Sequence, residues 1–243
     1  MAHASPDIIA SRPFLSEFGT LSPATIAVPQ DAYGGYILRT GGGIVDQLEL
    51  LLGAHWYQTR FCGKAPILDL GPGRCWFTRQ SVNDIVAVDN SPDLVEHFGK
   101  QGINIRLGDA YKIPFPEEYF EGIFCCWLLE HLQEPQRAMR EMHRVLKAGG
   151  YGCVIVPTPR DMEAFYADYT HIRPFTKTSL KQLAEDAGFV RHRAEYLPWA
   201  RGLSRVLAYC GPRVARMYLR FAEQSLRTVG VVNRNNLMLE VWK

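Results

Sequence analysis

No two cysteines in the sequence have CxxC spacing. The six that occur, Cys62, Cys75, Cys125, Cys126, Cys153 and Cys210, form no ligand-spaced cluster. That argues against a zinc ribbon or a disulfide framework, and no metal site is expected. Cys125, Cys126 and Cys153 lie inside apolar runs. Reduced core thiols of this kind suit a cytoplasmic protein, and that location is expected. No apolar run is long enough to span a bilayer. The opening "MAHASPDIIASRPF" has no basic region followed by an apolar core, so no signal peptide is expected. An excess of one charge is missing too. Lys and Arg number 27 against 25 acids, a net +2 that gives no reason to expect nucleic acid as a partner. What is present is 47% hydrophobic and 21% charged residues, a globular composition. The 243 residues allow one large α/β domain or two small ones.

Four prolines, Pro6, Pro13, Pro23 and Pro29, break up the first 40 or so residues, which read as an N-terminal arm. A helix follows, with Ile44, Leu48, Leu51, Leu52 and Trp56 on one face. The arm and helix, residues 1–60, are expected to precede the main domain, 61–243. From Ala65 short apolar strands alternate with helices: "PILDL", "DIVAVDN", "INIRLGDA", "EGIFCCW" and "YGCVIVP". Ser91 caps one intervening helix, with Pro92 at its first position. Another carries Ala138, Met139, Met142, Val145 and Leu146 on one face and is expected to stop at Gly149. A third has Thr176 as cap, Leu180, Leu183, Ala184 and Ala187 inward and Gly188 as stop. "VRHRAEYL" and "NLMLEVWK" read as the last two strands. This pattern predicts a doubly wound α/β sheet, mostly parallel and covered by helices on both faces. Ligands of such sheets bind beyond the carboxyl ends of the strands.

"ILDLGPGRCWF", Ile67 to Phe77, is the first chemical signal. A buried strand runs into a glycine turn, which lets a ligand approach the backbone. Twenty positions after Asp69, Asp89 ends the second strand, where a carboxylate accepts the hydroxyls of a ribose. A dinucleotide loop, G-x-G-x-x-G, would need a third glycine at position 76, where this chain has Trp76. A large ring there is expected to obstruct a pyrophosphate. A sulfonium nucleoside has no phosphates and gains from a nearby carboxylate, which Asp69 supplies. The loop therefore favours S-adenosylmethionine over NAD.

"ILDLGPGRC" resembles motif I of the class I S-adenosylmethionine-dependent methyltransferases, acid-x-Gly-x-Gly-x-Gly, with Cys75 in place of the last glycine. "VAVDNS", "GDAYKIPFPEEYFEGIF", "CCWLLEHL" and "RVLKAGG" resemble the later motifs in order. "HIRPFTKTSLKQLAEDAGF" is similar to the segment after strand five in the ubiquinone-biosynthesis-like branch. The resemblance covers roughly residues 65 to 197. It implies a Rossmann-like, seven-stranded sheet with the last strand antiparallel. It also implies that S-adenosylmethionine is held by Asp69, Gly71, Gly73, Asp89, Asn90, Asp109, Ala110, Cys126 and Trp127, with Asp109 and Ala110 at the adenine. Cys75, being small, is expected to be tolerated at a helix start. The arginine-rich stretch from about 199 to 230 becomes a helical insertion between strands six and seven. It holds six arginines against Glu223 alone.

On the acceptor side, an alcohol needs a base, and histidine is suited to that task. His171 in "YADYTHIRPFT" is the first candidate and His131 in "LLEHL" the second. Tyr169 and Arg173, with Tyr33 and Tyr36 of the arm, are candidate substrate contacts, Gly34 and Gly35 allowing the arm to hinge as a lid. Asp168 and Arg173 could instead pair to brace their loop. In the arginine-rich stretch, Val214, Met217, Tyr218 and Phe221 form a stripe expected to pack on the domain. An alternative use of that stretch is to grip an anionic acceptor or rest on a membrane surface. The expected function is methyl transfer to a small-molecule, glycan or lipid-intermediate acceptor, at oxygen. The rivals are an NAD-dependent oxidoreductase and a non-catalytic cofactor-binding scaffold of the same fold.

Overall fold

The computed structural model describes residues 37, 43–160, 162–197, 203–229 and 236–243, with the backbone alone at 43–46, 204 and 223–229. Tyr33, Tyr36 and the glycines between them lie outside the described residues.

The elements follow the order read from the sequence. Helix α1 (Gly43–Trp56) runs into a π-helical turn (Tyr57–Phe61) and then β1 (Ile67–Leu70). Next come β2 (Ile85–Asp89), α2 (Pro92–Gly99), β3 (Ile105–Leu107) and β4 (Phe120–Cys126). Helix α3 (Pro135–Val145), β5 (Leu146–Pro157), α4 (Met162–Phe165), α5 (Lys177–Asp186) and β6 (Arg191–Tyr196) continue the chain. Helix α6 (Leu203–Val229) and β7 (Asn236–Trp242) complete it. One seven-stranded sheet has the order β3-β2-β1-β4-β5-β7-β6. Among the described strands only β7 runs antiparallel to its neighbours.

Alternation along the central strands sends side chains to two cores. Leu68 and Leu70 of β1, Ile123 and Cys125 of β4, and Val154 and Val156 of β5 face α3 and α5. Ile67, Phe124, Cys153 and Ile155 face α1 and α6. Local signals agree with this packing. Ser91 Oγ accepts from the Leu94 N–H at the start of α2, and Thr176 and Ser179 form a reciprocal capping box on α5. Gly188, at φ +99°, ends α5 as expected.

Two expectations need correction. Helix α3 stops at Val145, four residues before Gly149. Leu146 already pairs with Phe120, and the residues up to Gly150 form a bulge before Tyr151 pairs with Gly122. Sheet pairing has taken residues whose spacing suits a helix. In α6 three of the four stripe residues, Val214, Met217 and Phe221, face solvent, Met217 and Phe221 being more than 70% exposed, while Tyr218 packs partly buried against the core as expected. Leu203, Leu207, Ala215, Leu219 and Ala222 are buried instead. Gly211, at φ +77° and ψ 174°, breaks the helix, and Pro212 restarts it at a new phase. The small Ala215 and Ala222 on this buried face suit a close approach to α1.

Candidate active site

The glycine loop leaves β1 at the centre of the sheet, beside the reversal of strand order between β1 and β4. Gly71 takes φ +67°, and a Cβ there would lie 3.0 Å from Leu128. Gly73 takes φ +51° with nothing within 4 Å of a Cβ, so the loop is open on that side. Cys75 stands where the family's last glycine would be and adopts the left-handed conformation itself, at φ 57°. Its thiol is fully buried against Leu94, Phe98 and Ile103. Burial pushes that thiol's pKa up, far from a reactive thiolate.

No helix starts at Cys75, contrary to expectation. The chain passes through turns to a 3-10 turn at Thr78–Gln80. Trp76 also departs from its expected position. Its ring packs inward against Trp56, Phe124 and Trp127 at 5.5–6.2 Å, so it does not obstruct the loop. The physical objection to a dinucleotide lies elsewhere. A pyrophosphate is held by the N–H groups of a helix N-terminus, and none follows this loop. An adenosyl cofactor without phosphates fits a loop that is open at Gly73 and flanked by Asp89.

Asp69 sits beneath this loop. Its Oδ2 accepts the Thr78 hydroxyl proton at 2.6 Å, and burial raises its pKa to about 7. The carboxyl thereby ties β1 to the far end of the loop. Asp89, at the end of β2, accepts from the Ser91 N–H at 2.8 Å. Burial raises it to about 6, and hydrogen bonds from the Ser91 and Asn90 backbone oppose the shift. Asp109 is exposed and accepts from the Tyr111 N–H at 2.9 Å, next to the partly buried Ala110. Cys126 is buried at the end of β4. Trp127 follows at φ 54°, its indole N–H donating to Asn236 Oδ1 at 3.2 Å. The structure thus gathers the loop, Asp89, Asn90, Asp109 and the end of β4 along the carboxyl edge of the sheet.

A second cluster lies beyond the ends of β4 and β5. Glu130 and His131 occupy a 3-10 turn after β4 (Leu129–His131). Asp168, Thr170 and His171 belong to the segment after β5. Backbone bonds clamp the two pieces, with Ile172 N–H donating to Glu130 O at 2.8 Å. The rings of His131 and His171 are 4.7 Å apart. The Thr170 hydroxyl donates to Asp168 Oδ1 at 2.6 Å and has no second proton. It therefore accepts from His131 Nδ1 at 2.9 Å, which assigns the proton of His131 to Nδ1. His171 Nδ1 donates to Phe165 O at 2.6 Å. In both rings Nε2 is then the basic nitrogen. Burial, and then the neighbouring His171, depress His131 to about 4. Burial also lowers His171, against the opposing pull of Asp168.

Glu130 is fully buried, and both carboxylate oxygens lack a hydrogen-bond partner. Burial raises its pKa to about 8. Its significance was not read from the sequence, although it immediately precedes His131 in "LLEHL". Tyr169 is half exposed on the same segment. Arg173 turns aside, its guanidinium donating to Gln133 O at 2.8 Å. The suggested Asp168–Arg173 brace is not formed, since Asp168 takes Thr170 instead.

Residues 68–154 match the family model described as "Methyltransferase domain". The chain is 29% identical over 152 residues to 2-methyl-6-phytyl-1,4-hydroquinone methyltransferase 1, chloroplastic, of Oryza sativa subsp. japonica, covering 57% of this chain and 46% of that protein. It is 33% identical over 97 residues to the ubiquinone/menaquinone biosynthesis C-methyltransferase UbiE of Pectobacterium atrosepticum, covering 38% of each. The chain spans about half the length, or less, of these curated relatives. A SAM-dependent methyltransferase from Archaeoglobus fulgidus shares the fold at TM-score 0.60 and 21% identity, over 80% of this chain and 94% of that one. The seven-stranded sheet with its one antiparallel strand, the motif I loop and the match over β1 to β5 agree: residues 68–154 form a methyltransferase domain, on a fold shared with S-adenosylmethionine-dependent methyltransferases.

Proposed function

We propose that this chain transfers a methyl group from S-adenosylmethionine to a hydroxyl oxygen of a small-molecule acceptor. The observation that carries the proposal is the His131–His171 pair, with both basic nitrogens assigned, beyond the carboxyl ends of β4 and β5. The cofactor supplies an electrophilic methyl group on a sulfonium. The chain's own residues would hold and deprotonate. The loop with Gly71 and Gly73 accepts the cofactor against its backbone. Asp89 takes the ribose hydroxyls, and Asp109 with Ala110 borders the adenine. A neutral histidine accepts the acceptor's proton. Alignment of nucleophile, methyl carbon and sulfur supplies most of the remaining acceleration.

The printed names of the relatives favour a second reading, in which the acceptor is a hydroquinone methylated at carbon. The same base serves either outcome, because removing a phenolic proton activates both the oxygen and the adjacent ring carbons. A glycan or lipid-linked acceptor remains within the proposal. So does contact with an anionic surface through α6, supported by exposed Met217 and Phe221 beside exposed Arg213, Arg216 and Arg220. The test is incubation with methyl-labelled S-adenosylmethionine and a panel of phenols, hydroquinones and alcohols, with products identified by mass spectrometry and NMR. A product methylated at oxygen supports the first reading and one methylated at carbon the second. S-adenosylhomocysteine should raise the melting temperature and NAD should not, and the reverse would overturn both readings.

A further inference from the structure

Among the described residues Glu130 carries a buried carboxyl that neither the cofactor nor the packing explains. A buried carboxyl without hydrogen bonds is costly in either protonation state. It cannot be exchanged for water, because the side chain is fully covered. Two histidines stand beside it. One carboxylate oxygen of Glu130 and one ring nitrogen each from His131 and His171 all lie within 4.8 Å of one another. Glu130 Oε1 is 4.0 Å from His171 Nε2.

We propose that Glu130, His131 and His171 form a binding site for a divalent transition-metal cation of the zinc class. A cation bonded tetrahedrally at about 2.0–2.2 Å to nitrogen and oxygen sets its ligand atoms roughly 3.3–3.6 Å apart, so the site closes by a contraction of up to about 1.5 Å. Two imidazoles and one carboxylate, with a position left open, are the ligand set of catalytic zinc sites. The outer contacts fit as well. Each metal-ligating histidine normally gives its other N–H to a carbonyl, carboxylate or hydroxyl, which fixes the ring and its basic nitrogen. His171 does so through Phe165 O, and His131 through Thr170, itself held by Asp168.

The inference rests on the methyltransferase reading for its role and not for its existence. An acceptor hydroxyl bound at the open position would ionise. Its O–H bond breaks, the electron pair stays on oxygen beside the cation, and the proton passes to water. With the cation bound the two basic nitrogens act through it, and in the metal-free protein they are the direct bases of the proposed function.

Metal-free protein, prepared with a chelator and freed of any tag, should be titrated with Co2+ followed by visible absorption, then with Zn2+ in competition. One equivalent of Co2+ should bind with d–d bands of nitrogen and oxygen ligation and be displaced by Zn2+. The bands should vanish in Glu130→Gln and His171→Ala. Thr170→Val, which removes the hydroxyl linking His131 to Asp168 and leaves all three ligands in place, should weaken binding about 10–100-fold. Binding of S-adenosylhomocysteine, read by thermal shift, should persist in all three and shows that they are folded. Absence of stoichiometric Co2+ binding would overturn the proposal. So would binding unchanged in the variants, or thiolate charge-transfer bands from exposed Cys62 or Cys210. Metal binding without any cofactor binding would uphold the site and sink the methyltransferase reading. Full turnover in chelated protein, with no Co2+ binding, would return the histidines to the role of direct base.

Discussion

Arg74 of the glycine loop and Glu49 of α1 bind each other through two hydrogen bonds, Nε to Oε2 at 3.1 Å and Nη2 to Oε1 at 2.5 Å. Both side chains are nearly buried. The fork joins the helix before the domain to the loop that receives the cofactor. Removing one partner takes both hydrogen bonds of the fork from the other. Glu49→Gln is therefore expected to lower stability by about 3 kcal/mol, the low end for a broken buried pair. Urea denaturation measures this. A loss below about 0.5 kcal/mol would show that the pair does not brace the loop.

Gly73 has room for a side chain but a backbone that disfavours one. Gly73→Val is expected to cost about 1–2 kcal/mol in stability from its left-handed φ. It is also expected to weaken S-adenosylhomocysteine binding by about 10-fold or more, because the branched side chain fills the open side of the loop. Calorimetric titration would show it. Unchanged affinity would place the cofactor elsewhere.

Asp69 makes stability depend on pH. Burial raises its pKa from 3.8 to about 7 in the folded chain. Between those values the native state holds more protons than the unfolded one, so stability falls as pH rises. The contribution is fully present below about pH 4 and lost through pH 7, a span of about 4 kcal/mol. His131 and His171, whose pKa values are lowered, act in the opposite sense up to about pH 6.5. The comparison must therefore be with Asp69→Asn, in which only the Asp69 contribution disappears. A wild-type minus variant difference that stays flat from pH 4 to 7 would contradict the assignment.

His171→Ala and His131→Ala are expected to keep S-adenosylhomocysteine binding and lose about 100-fold or more in turnover. With His131 depressed to about 4, its ring is neutral throughout the neutral range. Protonation of that ring should not reduce kcat between pH 6 and 8. Steady-state rates across that interval test both points, and full activity in both variants would remove the pair from the chemistry.

The two faces of α6 give a stability contrast. Leu219 is 4% exposed and Met217 is 72% exposed. Leu219→Ala is expected to cost about 2–5 kcal/mol and Met217→Ala less than about 0.5 kcal/mol. Thermal unfolding of the two variants checks which stripe is buried.

Strand sequences such as "ILDL" and "IVAVD" determined the sheet by themselves, because residues buried on both faces leave a continuous apolar run that few other structures accept. Caps were equally local. Ser91 with Pro92 and Thr176 with Ser179 satisfy helix N–H groups a few residues away, so they are legible without the rest of the chain. The motif I loop, Asp89 and the two histidines could be named as candidates because their residue types and spacing suit a nucleoside and a base. Tertiary structure decided what depends on distant partners. It took Leu146 from helix to strand through Phe120, and set Trp76 inward against Trp56 and Phe124. The kink at Gly211 fixed the phase of α6 and turned Val214, Met217 and Phe221 of its apparent apolar stripe to solvent. It also brought Glu130, His131, Thr170 and His171 together from segments some 40 residues apart. A side chain's burial depends on everything packed around it. Glu130 therefore became a candidate site residue only when the fold closed over it.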